Sequence, residues 1–161
     1  MDRDTCRIRL ARLLTEENAL LATLTQQLKQ EHELLAGNDV DGLEKAGAAR
    51  QQTIAKLLRL EDERQGLCRQ LGRNADRSGM AALLAWCDPA GTLAPAQSEC
   101  ASLAGACRAQ NERNGALVAA RLTRASSMLD LLTGNNAPRT YDQRFGRSVP
   151  LPAGRMLATS A

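Results

Sequence analysis

The sequence predicts an all-α fold: an antiparallel bundle of three long helices plus one short connecting helix, with an extended C-terminal arm. Three observations predict it. Leucine recurs at helical spacing along extended rods. Leu and Ala carry the apolar load, whereas the aromatics are only Trp86, Tyr141 and Phe145, 2% of the chain. Glycine-containing breaks at Gly37, Gly72 and Gly91 separate the periodic stretches. Leu and Ala lose little rotamer freedom in a helix, which is why their dominance favours that state. The period stops near Gly134, so the chain reads as a helical bundle domain over 1–134 and a flexible basic arm over 135–161. A length of 161 residues suits one such domain, and 43% hydrophobic composition is enough for a core.

The first rod covers residues 4–36. Leu14, Leu21, Leu28 and Leu35 recur every seven residues, Leu10 and Leu24 fill the intervening seam, and Leu13, Leu20 and Leu34 widen it. At 1.5 Å per residue the rod is roughly 50 Å long, and a stripe of that length needs partner helices. Gly37 suits a left-handed C-terminal position, with Asn38 or Asp39 capping the next helix. So short a break between long helices makes a hairpin.

The second rod spans 40–71, with a seam of Val40, Leu43, Gly47, Ile54, Leu57, Leu58, Leu67, Cys68 and Leu71. Arg50, Glu61 and Arg64 thin it in the middle, their stems lying on apolar surface and their charges reaching water. Between 73 and 97 the chain is punctuated. Ser78 is a candidate cap for a short helix, MAALLAWC, whose Trp86 is expected to plug the core. Asp88-Pro89-Ala90-Gly91 ends that helix, because the residue before proline is pushed out of helical space.

The third rod spans 95–133, with Pro95 in its first turn. Its seam runs Cys100, Leu103, Cys107, Gln110, Asn114, Leu117, Val118, Arg121, Leu122, Ala125, Met128, Leu129 and Leu132. Two seam positions, Gln110 and Asn114, are polar, and buried amides must be hydrogen-bonded. Such a polar layer either fixes register within an apolar seam or borders a groove for a partner. Gly115 beside it costs helix propensity on the order of 1 kcal/mol against Ala, which suggests close backbone approach there. From Asn135 the period dies, and Tyr141 and Phe145 become the only large anchors on the arm, for this bundle or for a partner.

Charge and chemistry narrow the function. The arm carries Arg139, Arg144, Arg147 and Arg155 against Asp142; the remaining residues hold 17 basic and 17 acidic side chains, so the net +3 belongs to the arm. Spaced arginines without stacking aromatics do not make a nucleic-acid surface. No apolar run approaches the roughly eighteen residues of a membrane span, and MDRDTCRIRL lacks a signal-peptide core, so a cytoplasmic protein is expected. The five cysteines, Cys6, Cys68, Cys87, Cys100 and Cys107, show no C-x-x-C spacing and read as small buried hydrophobes. His32 is the only histidine and sits among charges, so no metal, cofactor or catalytic constellation is expected.

Asn111-Glu112-Arg113-Asn114-Gly115, then an apolar helix, a break and Thr140-Tyr141-Asp142, resembles the FlgN family of flagellar export chaperones. The resemblance covers nearly the whole layout, but only the N-x-x-N-G and T-Y-D segments are specific, and the glycine usual soon after the tyrosine stands later, at Gly146. It implies a non-enzymatic chaperone that binds the C-terminal helical segments of the hook–filament junction proteins FlgK and FlgL and delivers them to the export gate protein FlhA. Leu117, Val118, Leu122, Ala125, Met128 and Leu129 are the expected client surface beside Asn111, Asn114 and Gly115, and the resemblance carries gate docking to Tyr141. A helical bundle that self-associates as a homo-oligomer, with its stripes satisfied among copies, is the alternative reading.

Overall fold

The computed structural model describes residues 1–133; the expected arm over 135–161, with Tyr141 and Phe145, lies outside the described residues. Within them the protein is all-helical, with three long helices and one short one. These are α1 (Arg3–Gly37), α2 (Val40–Gln70), α3 (Arg77–Cys87) and α4 (Ala94–Leu132). The chain forms two compact units, Met1–Asn114 and a second beginning at Gly115, so α4 contributes to both.

Capping residues fix the boundaries. The Asp2 carboxylate accepts from the Thr5 N–H, Asp39 from Gly42, and Asp76 from Gly79, each satisfying a donor the first helical turn leaves open. The cap of α3 is therefore Asp76 rather than Ser78, whose hydroxyl instead donates to Asp76. At the end of α1, Asn38 takes the left-handed conformation (φ 59°) expected of Gly37, and its N–H closes onto the Leu34 and Leu35 carbonyls. Gly79 is required for a different reason: a Cβ there would collide with the Asn74 carbonyl as the loop folds over the start of α3.

The core of the first unit is built on α1. Cys6, Leu10, Leu13 and Leu14 pack with Leu60, Leu67 and Cys68 of α2, Leu83 and Cys87 of α3, and Leu93. Ion pairs tie α2 to α1: Arg12 with Glu63, Glu17 with Arg64 and Glu31 with Arg50. Arg50 and Arg64, expected to reach water, are thus turned onto α1 carboxylates, and Arg64 also pairs with Glu61. The Glu31–Arg50 approach is 2.8 Å but is not aligned as a hydrogen bond, so its attraction is mainly Coulombic.

Two expectations about packing are corrected. The α2 seam uses Ala46, Thr53, Leu57, Leu60, Leu67 and Cys68, whereas Val40 is 74% exposed, Leu58 is exposed and Gly47 has no neighbour for a Cβ. In a helix with scattered leucines, two adjacent stripes fit the same period, and the α1 surface selects between them. Trp86 is half-buried at the edge of the core, its ring 5.7 Å from the Arg3 guanidinium; Leu83 fills the centre and is 0% exposed.

All five cysteines are free and buried. Burial, with the Cys87 and Cys68 thiols nearby, pushes Cys6 up to about 12, and burial with Glu17 alongside does the same for Cys100. Protonated at neutral pH, these groups act as packing residues rather than nucleophiles.

Leu83→Ala should lower unfolding free energy by about 2–5 kcal/mol in urea titrations, whereas Leu131→Ala, at a 72% exposed site, should stay within about 0.5 kcal/mol. The Asp76 carboxyl is held below its usual range by the Gly79 N–H and the Ser78 hydroxyl, and Asp88 by the Leu93 N–H and the Thr92 hydroxyl. A depressed folded value gives stability that is present above the unfolded value of about 3.9 and lost as pH falls through the folded one. The urea midpoint should therefore drop from about pH 5 downward, and Asp76→Asn with Asp88→Asn should make that acid limb shallower.

Candidate partner-binding surface

α4 changes character along its length, and its side chains explain how. In the first unit its inward stripe is Cys100, Ala104, Cys107, Gln110 and Asn114, small or polar residues meeting α1. The contacts are pegged by hydrogen bonds at successive levels. Asn18 donates from Nδ2 to the Ala96 carbonyl (3.0 Å) and to Glu99 Oε2 (3.3 Å). The Cys107 thiol donates to the Leu21 carbonyl (3.4 Å), with Thr25 Oγ1 3.1 Å from the same sulfur. Burial raises the Cys107 thiol, and the Thr25 hydroxyl partly offsets it. These partners advance together along both helices, so this part of α4 runs in the same direction as α1.

The last level is the most elaborate. Asn114 is 6% exposed and donates from Nδ2 to the Leu28 carbonyl at 2.8 Å. Its Oδ1 lies 3.0 Å from His32 Nδ1 and accepts from Gln110 Nε2 at 3.2 Å. With Asn114 Oδ1 as the acceptor, Nδ1 of His32 carries the proton. His32, expected among solvated charges, is therefore half-buried and belongs to this layer. The amide of Asn114 is satisfied on both sides, as a buried polar group must be.

From Gly115 the exposure pattern is different. Val118 is 39% exposed, Leu122 67%, Met128 51% and Leu129 60%, followed by exposed Leu131 and Leu132. Ala125 is exposed and Leu117 half-buried. Val118, Leu122, Ala125, Leu129 and Leu132 follow one another at intervals of four, three, four and three, a continuous seam on one helix face. Single exposed apolar residues are ordinary, but a contiguous stripe on one helix marks an interaction surface.

Of the residues singled out from sequence, Asn114 lies in the buried layer, while Asn111 and Gly115 are exposed beside it. Among the described residues a Cβ on Gly115 would meet nothing within 4 Å, so close approach by these residues does not explain the glycine. Leu117, Val118, Leu122, Ala125, Met128 and Leu129 all fall on the segment of α4 that begins at Gly115. Tyr141 lies outside the described residues. Sequence reasoning missed Asn18, Thr25 and His32 as partners of α4; each lies on the α1 flank beside a seam leucine, but nothing local indicates which helix they meet.

No group of three or more His, Cys, Asp or Glu among the described residues could hold a metal ion, and no described helix is long and apolar enough to cross a membrane. The Asn114→Ala variant should lose about 1–3 kcal/mol of stability through the unpaired His32 and Gln110 groups. In a double-mutant cycle with His32→Ala, urea unfolding should return a coupling of about 1 kcal/mol, and additive losses would show that the two side chains act separately.

In comparison with known proteins, the family model described as FlgN protein matches residues 7–146. No curated protein and no solved structure matches the chain. The matched span takes in almost all of the four helices and the N-x-x-N-G segment at the turning point of α4. The chain belongs to the FlgN family of flagellar export chaperones.

Proposed function

We propose that this protein is a cytoplasmic chaperone for the hook–filament junction proteins FlgK and FlgL, covering their C-terminal helical segments with the second half of α4 and presenting them to the export gate protein FlhA. The observation that carries the reading is the exposed seam of Val118, Leu122, Ala125 and Leu129, flanked by Met128. A client segment destined to pack in a junction carries an apolar face of its own, which aggregates if left in water. Helix-on-helix cover removes both faces from water with anchors at i, i+3, i+4 and i+7 spacing. Ala125 permits close approach, and the unbranched Met128 adapts to two different clients. Asn114 is committed to α1 by its hydrogen bonds and Gln110 to Asn114, so the client surface is the seam after them, with Asn111 at its edge. Tyr141, by family resemblance, is the gate contact; its place in the sequence after the seam separates client capture from docking along the chain.

The test is binding of purified full-length protein to the C-terminal segments of FlgK and FlgL. Leu122→Asp with Leu129→Asp should weaken both complexes on the order of 30-fold or more, the loss of a central hot spot. Both sites are more than half exposed, so circular dichroism should show an unchanged helix content. Tyr141→Ala should weaken capture by FlhA and leave client binding intact. Failure to form a complex with either client would remove the reading.

A further inference from the structure

We infer that a client segment covers the second half of α4 with two helices, one on each of two neighbouring stripes, and that the second of these helices carries carboxylates. The inference rests on the chaperone reading above and names the shape and charge of what that surface takes. At about 100° per residue, the seam of Val118, Leu122, Ala125, Leu129 and Leu132 lies within about 40° of one line along the helix. Leu117, Arg121, Arg124, Met128 and Leu131 each precede a seam residue by one, so they form a second stripe of the same period about 100° away. On it Met128 is 51% exposed and Leu131 72%. Together the two stripes span about half the circumference of the helix. The other half of this segment holds no apolar side chain larger than alanine, and carries Thr123, Ser126, Ser127 and Asp130.

One helix does not cover so wide a face. The contact with a single neighbour is a narrow stripe, and a helix with two stripes is one that meets two neighbours, as in a bundle. Area gives the same answer. A single helix laid on the seam meets a strip roughly 27 Å long and about 10 Å wide, at or below the roughly 1,200 Å² of total buried surface at which stable complexes begin. A second helix on the neighbouring stripe about doubles the contact and brings it into the range of about 1,200–2,000 Å². The charge on the second stripe sets its occupant. Arg121 and Arg124 stand between Leu117 and Met128 on that stripe, inside the apolar arc rather than on the polar half. A helix that covers them takes two guanidinium groups out of water, which is costly unless carboxylates meet them. Acidic side chains on the second client helix, level with Arg121 and Arg124, supply those partners through charge-assisted hydrogen bonds.

The experiment uses the full-length protein and the C-terminal segment of FlgK. Met128→Asp with Leu131→Asp should weaken capture on the order of 30-fold, with helix content unchanged by circular dichroism because both sites are more than half exposed. A benzophenone maleimide carried on Met128→Cys or on Leu129→Cys, neighbours in sequence on different stripes, should photolink to two different helices of the segment. The native cysteines are buried, so labelling at them should be low. Arg121→Gln with Arg124→Gln should weaken capture about tenfold at low salt and flatten its salt dependence. Unchanged capture by the Met128→Asp, Leu131→Asp variant, both photolinks on one helix of the segment, or a photolink from Met128→Cys to another copy of this chain overturns the two-helix cover. An unchanged salt dependence overturns the acidic occupant. A wild-type protein that captures no segment removes the chaperone reading itself, whereas capture that depends on the first seam alone leaves that reading standing and removes only the second helix.

Discussion

One rod must bury its apolar stripe, and the architecture of the first unit follows from that constraint. α1 extends over 35 residues without proline, and water cannot be left along its leucines at about 1.5–3 kcal/mol per side chain. No single partner covers it. Near its start, Cys6 and Leu10 are sealed in a cluster with residues of α2 and α3; farther along, Leu21 and Leu28 are buried, and their carbonyls accept from Cys107 and Asn114 of α4. Every other element of the unit is placed by where it meets this rod.

The two long partners use different chemistry on it. α2 combines leucines with arginine–carboxylate pairs that face α1, and these pairs set register more than they add stability. α4 offers small residues and hydrogen bonds, ending in the Gln110–Asn114–His32 layer. Small residues let the helices approach closely, and directional bonds to α1 carbonyls allow few alternative registers. A seam of this kind is specific with modest burial, which leaves the leucines of the later half of α4 for another use.

That allocation connects packing to function. A flagellar export chaperone needs an apolar helix face that stays presentable to a client while the rest of the molecule holds its fold. In α4 the side chains before Gly115 meet α1, and those after it form an exposed seam of the same period. Gly115, where the two stretches meet, is exposed.

The sequence by itself determined the helical class, the three rods and the short connector, and the breaks between them, because leucine period, caps and glycines are local signals. It also carried the family, through Asn111 to Gly115 and Thr140 to Asp142. Tertiary structure alone decided which of two adjacent stripes α2 buries, that Leu83 rather than Trp86 fills the centre, and that His32 joins the Asn114 layer. These are choices between faces of equal period, and a helix read alone shows every face it could bury. Which one it does bury is set by the shape and hydrogen-bonding groups of the neighbour it meets, information held by residues tens of positions away.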